Sequence, residues 1–95
     1  MVDYELMVII DPSLAEKDRD ASFTKIKKLI KEFSGKVVSE DMMGEKKLAY
    51  KINRSEKGTY ALYNLQLKGE AVKNISKEMN LYSEVWRYMF VRQEA

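Results

Sequence analysis

Alternating apolar and polar positions predict four strands along the chain. In residues 4–10 the apolar side chains fall on one face and gradually fill the other, as expected for a central strand. Pro12 ends this strand because its nitrogen cannot donate to a sheet. Gly44 is predicted to break or bulge the second extended stretch, and a polar turn over residues 53–58 leads into the third. The remaining extended stretches are residues 36–43, 48–52, 59–67 and 85–92.

Two stretches with helical spacing separate these strands. Ser13 and Glu16 fit a capping box at the start of the first helix, and Gly35 fits a left-handed residue that closes it. A second helix is predicted over residues 70–80. The apolar stripes of the two helices are Phe23, Ile26, Leu29, Ile30 and Phe33, and then Val72, Ile75 and Met79.

The order of elements is β-α-β-β-α-β. With right-handed crossovers, this order gives a four-stranded antiparallel sheet with two helices on one face, the ferredoxin-like α+β sandwich. Ninety-five residues are enough for one modest core, so we expect a single domain spanning residues 1–95.

The uncovered face of such a sheet must be polar or must meet another molecule. Strand parity places either Arg87 and Met89 or Trp86, Tyr88 and Phe90 of the last strand on this face. We favour Arg87 and Met89, because the bulky aromatic residues then fill the core. The surface is more apolar than an isolated small domain needs, which indicates a docking surface for a protein or for bases. Scattered surface apolar residues explain the pattern equally well. The apolar residues predicted here are Met7, Ile9, Tyr60, Leu62 and Met89.

Two groups of lysines are candidates for contact with a polyanion. Lys46 and Lys47 follow Gly44 directly before an apolar and aromatic run, an arrangement that suits phosphate contact, although hairpin lysines are usually just solvated. The first helix carries Lys25, Lys27, Lys28 and Lys31. For these four, a solvated helix face is favoured over an RNA-binding face.

Composition limits the class of function. The net charge is +2 and the pI is about 8.8, which is only mildly basic, so any nucleic-acid contact should be local or shared with a partner. Residues 1–5 lack the features of a signal peptide, and the longest apolar run is too short to span a bilayer. We therefore expect a cytoplasmic protein without membrane contact.

The chain contains no histidine and no cysteine. Histidine is the commonest general base and a preferred zinc ligand, and cysteine supplies thiolate ligands and nucleophiles. We therefore expect no enzyme activity, no metal and no cofactor. Two rival interpretations stay open: a ferredoxin-like small-molecule-binding regulatory module that self-associates through its sheet, and a small acid–base enzyme using Glu5 or a tyrosine.

Four segments, in order and at matching spacing, resemble the bacterial small-subunit ribosomal protein family conventionally numbered six. The resemblance covers nearly the whole chain. It departs from the family at Val2 and Asp3, where members typically carry arginine, and at the short C-terminal end, residues 93–95. The first departure removes the arginine that would make a backbone contact from the N-terminal end, and we expect partner contacts made through a C-terminal tail to be reduced. The segments are Tyr4-Glu5, Gly44 with residues 46–52, Gly58 with residues 60–63, and residues 87–92.

This resemblance implies a structural protein of the small ribosomal subunit. Family members bind the central domain of small-subunit ribosomal RNA together with the small-subunit protein numbered eighteen, with which they form a heterodimer. Such a partner would explain both the mild charge and the apolar sheet face. Carried over by position, the basic contacts are Lys46, Lys47 and Arg87, with Arg54, Lys57 and Arg92 as weaker candidates.

Overall fold

A four-stranded antiparallel sheet with two helices on one face makes up the computed structural model, which describes residues 1–93. The sheet order is β2-β3-β1-β4, so β1 and β3 are central and β2 and β4 are the edges. The predicted ferredoxin-like fold is therefore confirmed. The prediction about the C-terminal end falls partly on Glu94 and Ala95, which lie outside the described residues. The elements are β1 (Val2–Ile10), α1 (Glu16–Glu32), β2 (Lys36–Ile52), β3 (Ser55–Leu67), α2 (Gly69–Met79) and β4 (Val85–Arg92).

The main core lies between the sheet and the helices. Leu6 and Val8 of β1 pair with Tyr63 and Ala61 of β3, and all four side chains are fully buried on the helix-covered face. Alternation along each strand sends the intervening side chains to the other face. The helices contribute Phe23, Ile26, Leu29, Ile30, Ala71, Ile75 and Met79 to this core.

Both predictions for the ends of α1 were wrong. The N-cap is Ala15, without a side-chain bond, because the Ser13 hydroxyl donates to Asp11 Oδ1 at 2.7 Å instead of capping the helix. At the other end Ser34, with φ 62°, is the left-handed residue. Gly35 follows it and donates its N–H to the Ile30 carbonyl at 2.9 Å, in the pattern of a Schellman motif. The glycine is needed for space, since a Cβ there would collide with Leu67 and Ile30.

The β2–β3 hairpin is longer and its turn tighter than predicted. Asn53 and Arg54, with φ of 49° and 65°, form a two-residue turn of the type I′ class, and residues 55–58 belong to β3. The predicted bulge at Gly44 is confirmed by a register shift and a φ of 77°. A larger shift follows, because Lys47 pairs with Lys57 and the next pair joins Ile52 to Ser55. The intervening residues 48–51 therefore bulge out of the ladder.

A second register shift, between Ile9 and Ile10, changes one prediction for β4. Ile9 pairs with Arg87 and Ile10 with Val85, so Trp86 has no partner on β1. Tyr88 and Phe90 pack into the main core as predicted, but Trp86 packs on the other side of the sheet. Strict alternation could not reveal this, since the bulge reverses the face of a single residue. Among residues 1–93, α1 and α2 both lack the length and apolar character that crossing a membrane requires.

Candidate nucleic-acid and protein interface

The face of the sheet without helices carries the predicted surface. Three cross-strand rows run over it from β2 through β3 and β1 to β4. One end of the face is polar, where Asn64 donates to Ser39 Oγ at 2.9 Å. We call the apolar part the open face, and it consists of Met7, Ile9, Tyr60, Leu62, Arg87 and Met89.

The bulged segment of β2 folds over one end of the open face. Leu48 and Ile52 are 7% and 4% exposed, and with Ile9 they form a second small core against which Tyr60 and Trp86 pack. The apolar run after the two lysines is thus explained by packing: it anchors the end of the hairpin to the sheet. Residues 44–58, from the Gly44 bulge through the turn to Gly58, are called the hairpin arm below.

A cleft of about 230 Å³ separates the hairpin arm from β4. Its walls are mostly apolar and include Met7, Leu48 and Met89. Arg87 provides the single formal charge of the lining, and Tyr50, 70% exposed, stands at the rim. An apolar cleft beside one guanidinium can receive an apolar partner side chain while Arg87 binds an anion next to it.

The cationic side chains of the hairpin arm are exposed but not equivalent. Register places Lys46 opposite Gly58, on the side of the open face, and Lys47 opposite Lys57, on the reverse side. Lys57 is held by Glu45 at 3.6 Å, whereas Lys46 and Lys47 form no ion pair within residues 1–93. The two adjacent lysines are therefore free to meet phosphates on two sides of the arm.

The three arginines of the predicted site occupy different places. Arg54 lies in the turn at the tip of the hairpin arm, and Arg87 lies on the open face with one guanidinium nitrogen donating to the Trp86 carbonyl at 2.7 Å. Arg92 pairs with Tyr4, and Arg87 pairs with Ile9. These two β1 residues are five positions apart, which corresponds to about 17 Å along the strand. Arg92 is therefore separate from the group that the fold brings together at the hairpin end.

Two tyrosines, both away from the open face, have shifted titration. Burial, and then the nearby Glu40 carboxylate, raise the pKa of Tyr63 well above its usual range. Burial also raises the pKa of Tyr82, against the opposing effect of the Lys25 ammonium. In the described part of the chain, His, Cys, Asp and Glu side chains form no group of three that could hold a metal ion.

The sequence of residues 3–92 matches the family model described as Ribosomal protein S6. The chain belongs to the ribosomal protein S6 family. This assignment confirms the resemblance drawn from the four sequence segments, and it places the chain among the ribosomal proteins of the small subunit, which is not an enzyme class.

Relatives and a solved structure agree with the S6 assignment. The chain is 35% identical over 95 residues to the small ribosomal subunit protein bS6 of Beutenbergia cavernae, covering 100% of this chain and 99% of that one. It is 36% identical over 91 residues to bS6 of Prochlorococcus marinus strain MIT 9312, covering 96% of this chain but only 60% of the longer relative. The crystal structure of 30S ribosomal protein S6 from Thermotoga maritima superposes with a TM-score of 0.92 at 28% identity, over 97% of this chain and 87% of that chain.

Within the S6 fold, the five predicted partner-binding residues lie together on the open face. Met89 is 51% exposed, and Met7, Tyr60 and Leu62 are partly exposed. Ile9 is only 8% exposed, because the hairpin arm covers it, so it supports the surface from beneath. The sequence reasoning missed Leu48, Ile52 and Trp86 as parts of this surface. The signal for Leu48 and Ile52 was that they form an apolar pair close to the hairpin turn, whereas Trp86 reaches this surface only through the irregular pairing of β4.

Proposed function

We propose that this S6-family chain binds the central domain of small-subunit ribosomal RNA in the cytoplasm, jointly with the small-subunit protein numbered eighteen. Family membership supports a role in the ribosome and hence association with ribosomal RNA. The observation that carries the more specific proposal is the open face itself: helices cover only one side of the sheet, and the other side combines an apolar cleft with exposed cations at both margins.

The two kinds of side chain suit two kinds of partner. Lys46 and Lys47 present flexible ammonium groups, which bind phosphates without regard to base and release counterions. Met7, Leu62 and Met89 present adaptable apolar surface, which suits the centre of a protein–protein interface. Because a partner protein would supply part of the RNA contact, a net charge of only +2 is sufficient for this chain.

The RNA part of the proposal is tested by removing the charges of the hairpin arm. We expect the double variant Lys46→Ala/Lys47→Ala to bind a central-domain transcript more weakly, with a salt dependence flatter by about 1 to 2 in the slope of log K against log salt. Filter binding or fluorescence anisotropy across a salt series measures this slope. The matched control is Lys73→Ala/Lys77→Ala, which removes two exposed lysines of α2. An unchanged slope in the hairpin variant contradicts the assigned role.

The partner part is tested on the exposed edge of the open face. We expect Met89→Asp to weaken association with the protein numbered eighteen by at least about tenfold, because a charged carboxylate would replace an apolar side chain at the interface and would have to lose its hydration. Leu81→Asp is the control, since Leu81 is 76% exposed and lies outside the open face. Isothermal titration calorimetry gives both affinities, and equal affinities for the two variants would exclude Met89 from the interface.

A further inference from the structure

A second cationic surface lies at the junction of α1 and β2. Lys27, Lys28 and Lys31 of α1 line, together with Lys36 of β2, a concavity of about 400 Å³. We call Lys28, Lys31 and Lys36 the junction lysines, and all three are exposed. They lie at the end of β2 opposite the hairpin arm, so they are not part of the surface described above.

Local backbone structure brings these lysines together. The left-handed Ser34 and the Gly35 amide bonded to Ile30 reverse the chain within two residues of the end of α1. β2 therefore begins directly beside the last turn of the helix, and Lys36 enters the concavity that Lys28 and Lys31 line. The sequence alone suggested a solvated helix face, because nothing in the helical pattern shows that a strand lysine joins it.

The charge at this junction is not compensated. After Asp20, α1 carries four lysines and no acidic residue until Glu32. Two of the four are neutralised, Lys25 by Glu84 at 3.0 Å and Lys27 by Glu40 at 3.3 Å.

The junction lysines, in contrast, form no ion pair among residues 1–93. Lys28 and Lys31 are three residues apart on one helix face, an arrangement in which like charges destabilise a helix. The junction therefore keeps together three cations that no ion pair within residues 1–93 neutralises.

We propose that the junction lysines form a second binding surface for the phosphodiester backbone of RNA. This inference rests on the proposed function and extends it to a separate part of the molecule. Lys36 pairs with Gln66 and Lys46 with Gly58, so the two cationic surfaces are eight residues apart on β3, about 27 Å. A single phosphate cannot contact both, and the bound RNA must extend or fold so that it reaches both ends of β2.

The occupant is RNA backbone because of the chemistry of the surface. Ammonium groups on flexible stems bind phosphate as point charges, without the planar fork that reads carboxylates or bases. The concavity contains no aromatic side chain on which a base could stack; its other lining residues are Thr24, Gly35 and Val37. Binding here should therefore be independent of base sequence.

The first test compares two triple variants with the same loss of charge. Lys28→Gln/Lys31→Gln/Lys36→Gln removes the junction lysines, and Lys17→Gln/Lys73→Gln/Lys77→Gln removes three exposed lysines elsewhere. Both lower the net charge from +2 by three. Binding of each chain, with the protein numbered eighteen present, to a central-domain transcript is measured across a salt series. We expect the slope of log K against log salt to become flatter by about 2 to 3 in the junction variant, close to one for each phosphate contact, and to stay unchanged in the other variant.

The second test uses the absence of cysteine from the sequence. In one variant, Thr24→Cys, the introduced cysteine carries a tethered hydroxyl-radical probe at the concavity. In the control variant, Lys77→Cys, the same probe is attached to α2. We expect the Thr24 probe to cut the bound transcript at a few adjacent nucleotides, and the Lys77 probe to leave those nucleotides intact.

Failure of this inference can be distinguished from failure of the proposed function. If the unmodified chain binds the transcript but the two triple variants show equal slopes, or the Thr24 probe gives no cleavage, the junction surface is excluded while the hairpin arm keeps its role. If the junction variant instead loses binding to phosphatidylglycerol vesicles and keeps its RNA slope, the surface binds lipid rather than RNA. Absence of any binding by the unmodified chain rejects both proposals.

Discussion

Gly58 shows how one missing side chain shapes the open face. This residue is buried in β3, where a Cβ would lie 2.5 Å from Ile9 Cγ2 and 3.2 Å from Leu48 Cδ2. Ile9 of β1 and Leu48 of the hairpin arm occupy the space that a side chain at this position would need. A glycine that is unfavourable for an isolated strand is therefore required by the packing above it.

Substitution of Gly58 should therefore be costly. We expect Gly58→Ala to lower the free energy of unfolding by about 1 to 3 kcal/mol, since Ile9 must leave its position. The control is Gly69→Ala at the start of α2, where the nearest atom to an added Cβ is the Tyr4 hydroxyl at 3.6 Å. That variant should be neutral or more stable by up to about 1 kcal/mol, because alanine restricts the unfolded chain. Urea unfolding measures both, and a neutral Gly58→Ala would contradict the close packing.

Tyr63 should make the folding stability of the chain fall at alkaline pH. Its hydroxyl is buried without a hydrogen-bond partner among residues 1–93, and its pKa is raised above the usual value by burial and by Glu40. The folded state therefore holds the proton at pH values where the unfolded state releases it. The resulting stabilisation is fully present below about pH 10 and is lost as the pH rises above it, by up to about 1.4 kcal/mol for each pH unit.

Removal of this hydroxyl should remove that part of the pH dependence. We expect Tyr63→Phe to stay within about 1 kcal/mol of the unmodified chain at pH 7, since no hydrogen bond is lost, and to lose less stability at alkaline pH. Tyr50→Phe, at a position 70% exposed, is the control and should follow the unmodified chain. Urea titrations on both sides of pH 10 measure the difference, and parallel curves for all three chains would refute the assignment.

At the scale of elements, the hairpin arm is a separate unit of packing. It extends β2 and β3 beyond the sheet and is anchored by Leu48 and Ile52, which contact side chains of β1 rather than the main core. Its small core should therefore loosen without disruption of the helix-covered layer. Trp86 packs against this small core and is the only tryptophan in the chain, so its fluorescence reports on the arm.

Shortening Leu48 should release the hairpin arm. We expect Leu48→Ala to shift Trp86 emission to longer wavelength, to increase its quenching by acrylamide, and to lower the free energy of unfolding by about 1 to 3 kcal/mol, below the cost of a deep core position. Leu81→Ala, 76% exposed in the connection before β4, should change none of these. An unaltered Trp86 spectrum in the first variant would mean that Leu48 does not hold the arm on the sheet.

At the scale of the whole molecule, sequence reasoning recovered the topology and the face that each strand presents. The spacing of apolar residues within a single element, such as β1, β3 or α1, shows which face of that element is buried. The faces of Trp86 and of Leu48 were not recoverable, because both depend on register shifts, and a shift leaves no trace in the periodicity. The predicted N-cap of α1 was wrong because Asp11 competes with the helix for the Ser13 hydroxyl, and a helical pattern does not show this competition.

The candidate site was predictable to the same extent. The open face followed from parity, and the residue types of Lys46 and Lys47 indicated phosphate contact. Only the three-dimensional structure shows that Arg92 lies far from the hairpin end. It also shows that Lys36 lies beside the lysines of α1. Residues of one strand could be grouped by sequence, whereas groups drawn from several elements could not.

The irregular pairing of β2 has a further consequence for the free protein. A long outer strand is a template on which a second molecule can add its own strand, and repetition of that step produces polymers. Along β2 the ladder shifts register three times, so its outer margin never offers a long, flat row of donors and acceptors. Addition of a strand from a second copy of this chain along β2 is therefore disfavoured.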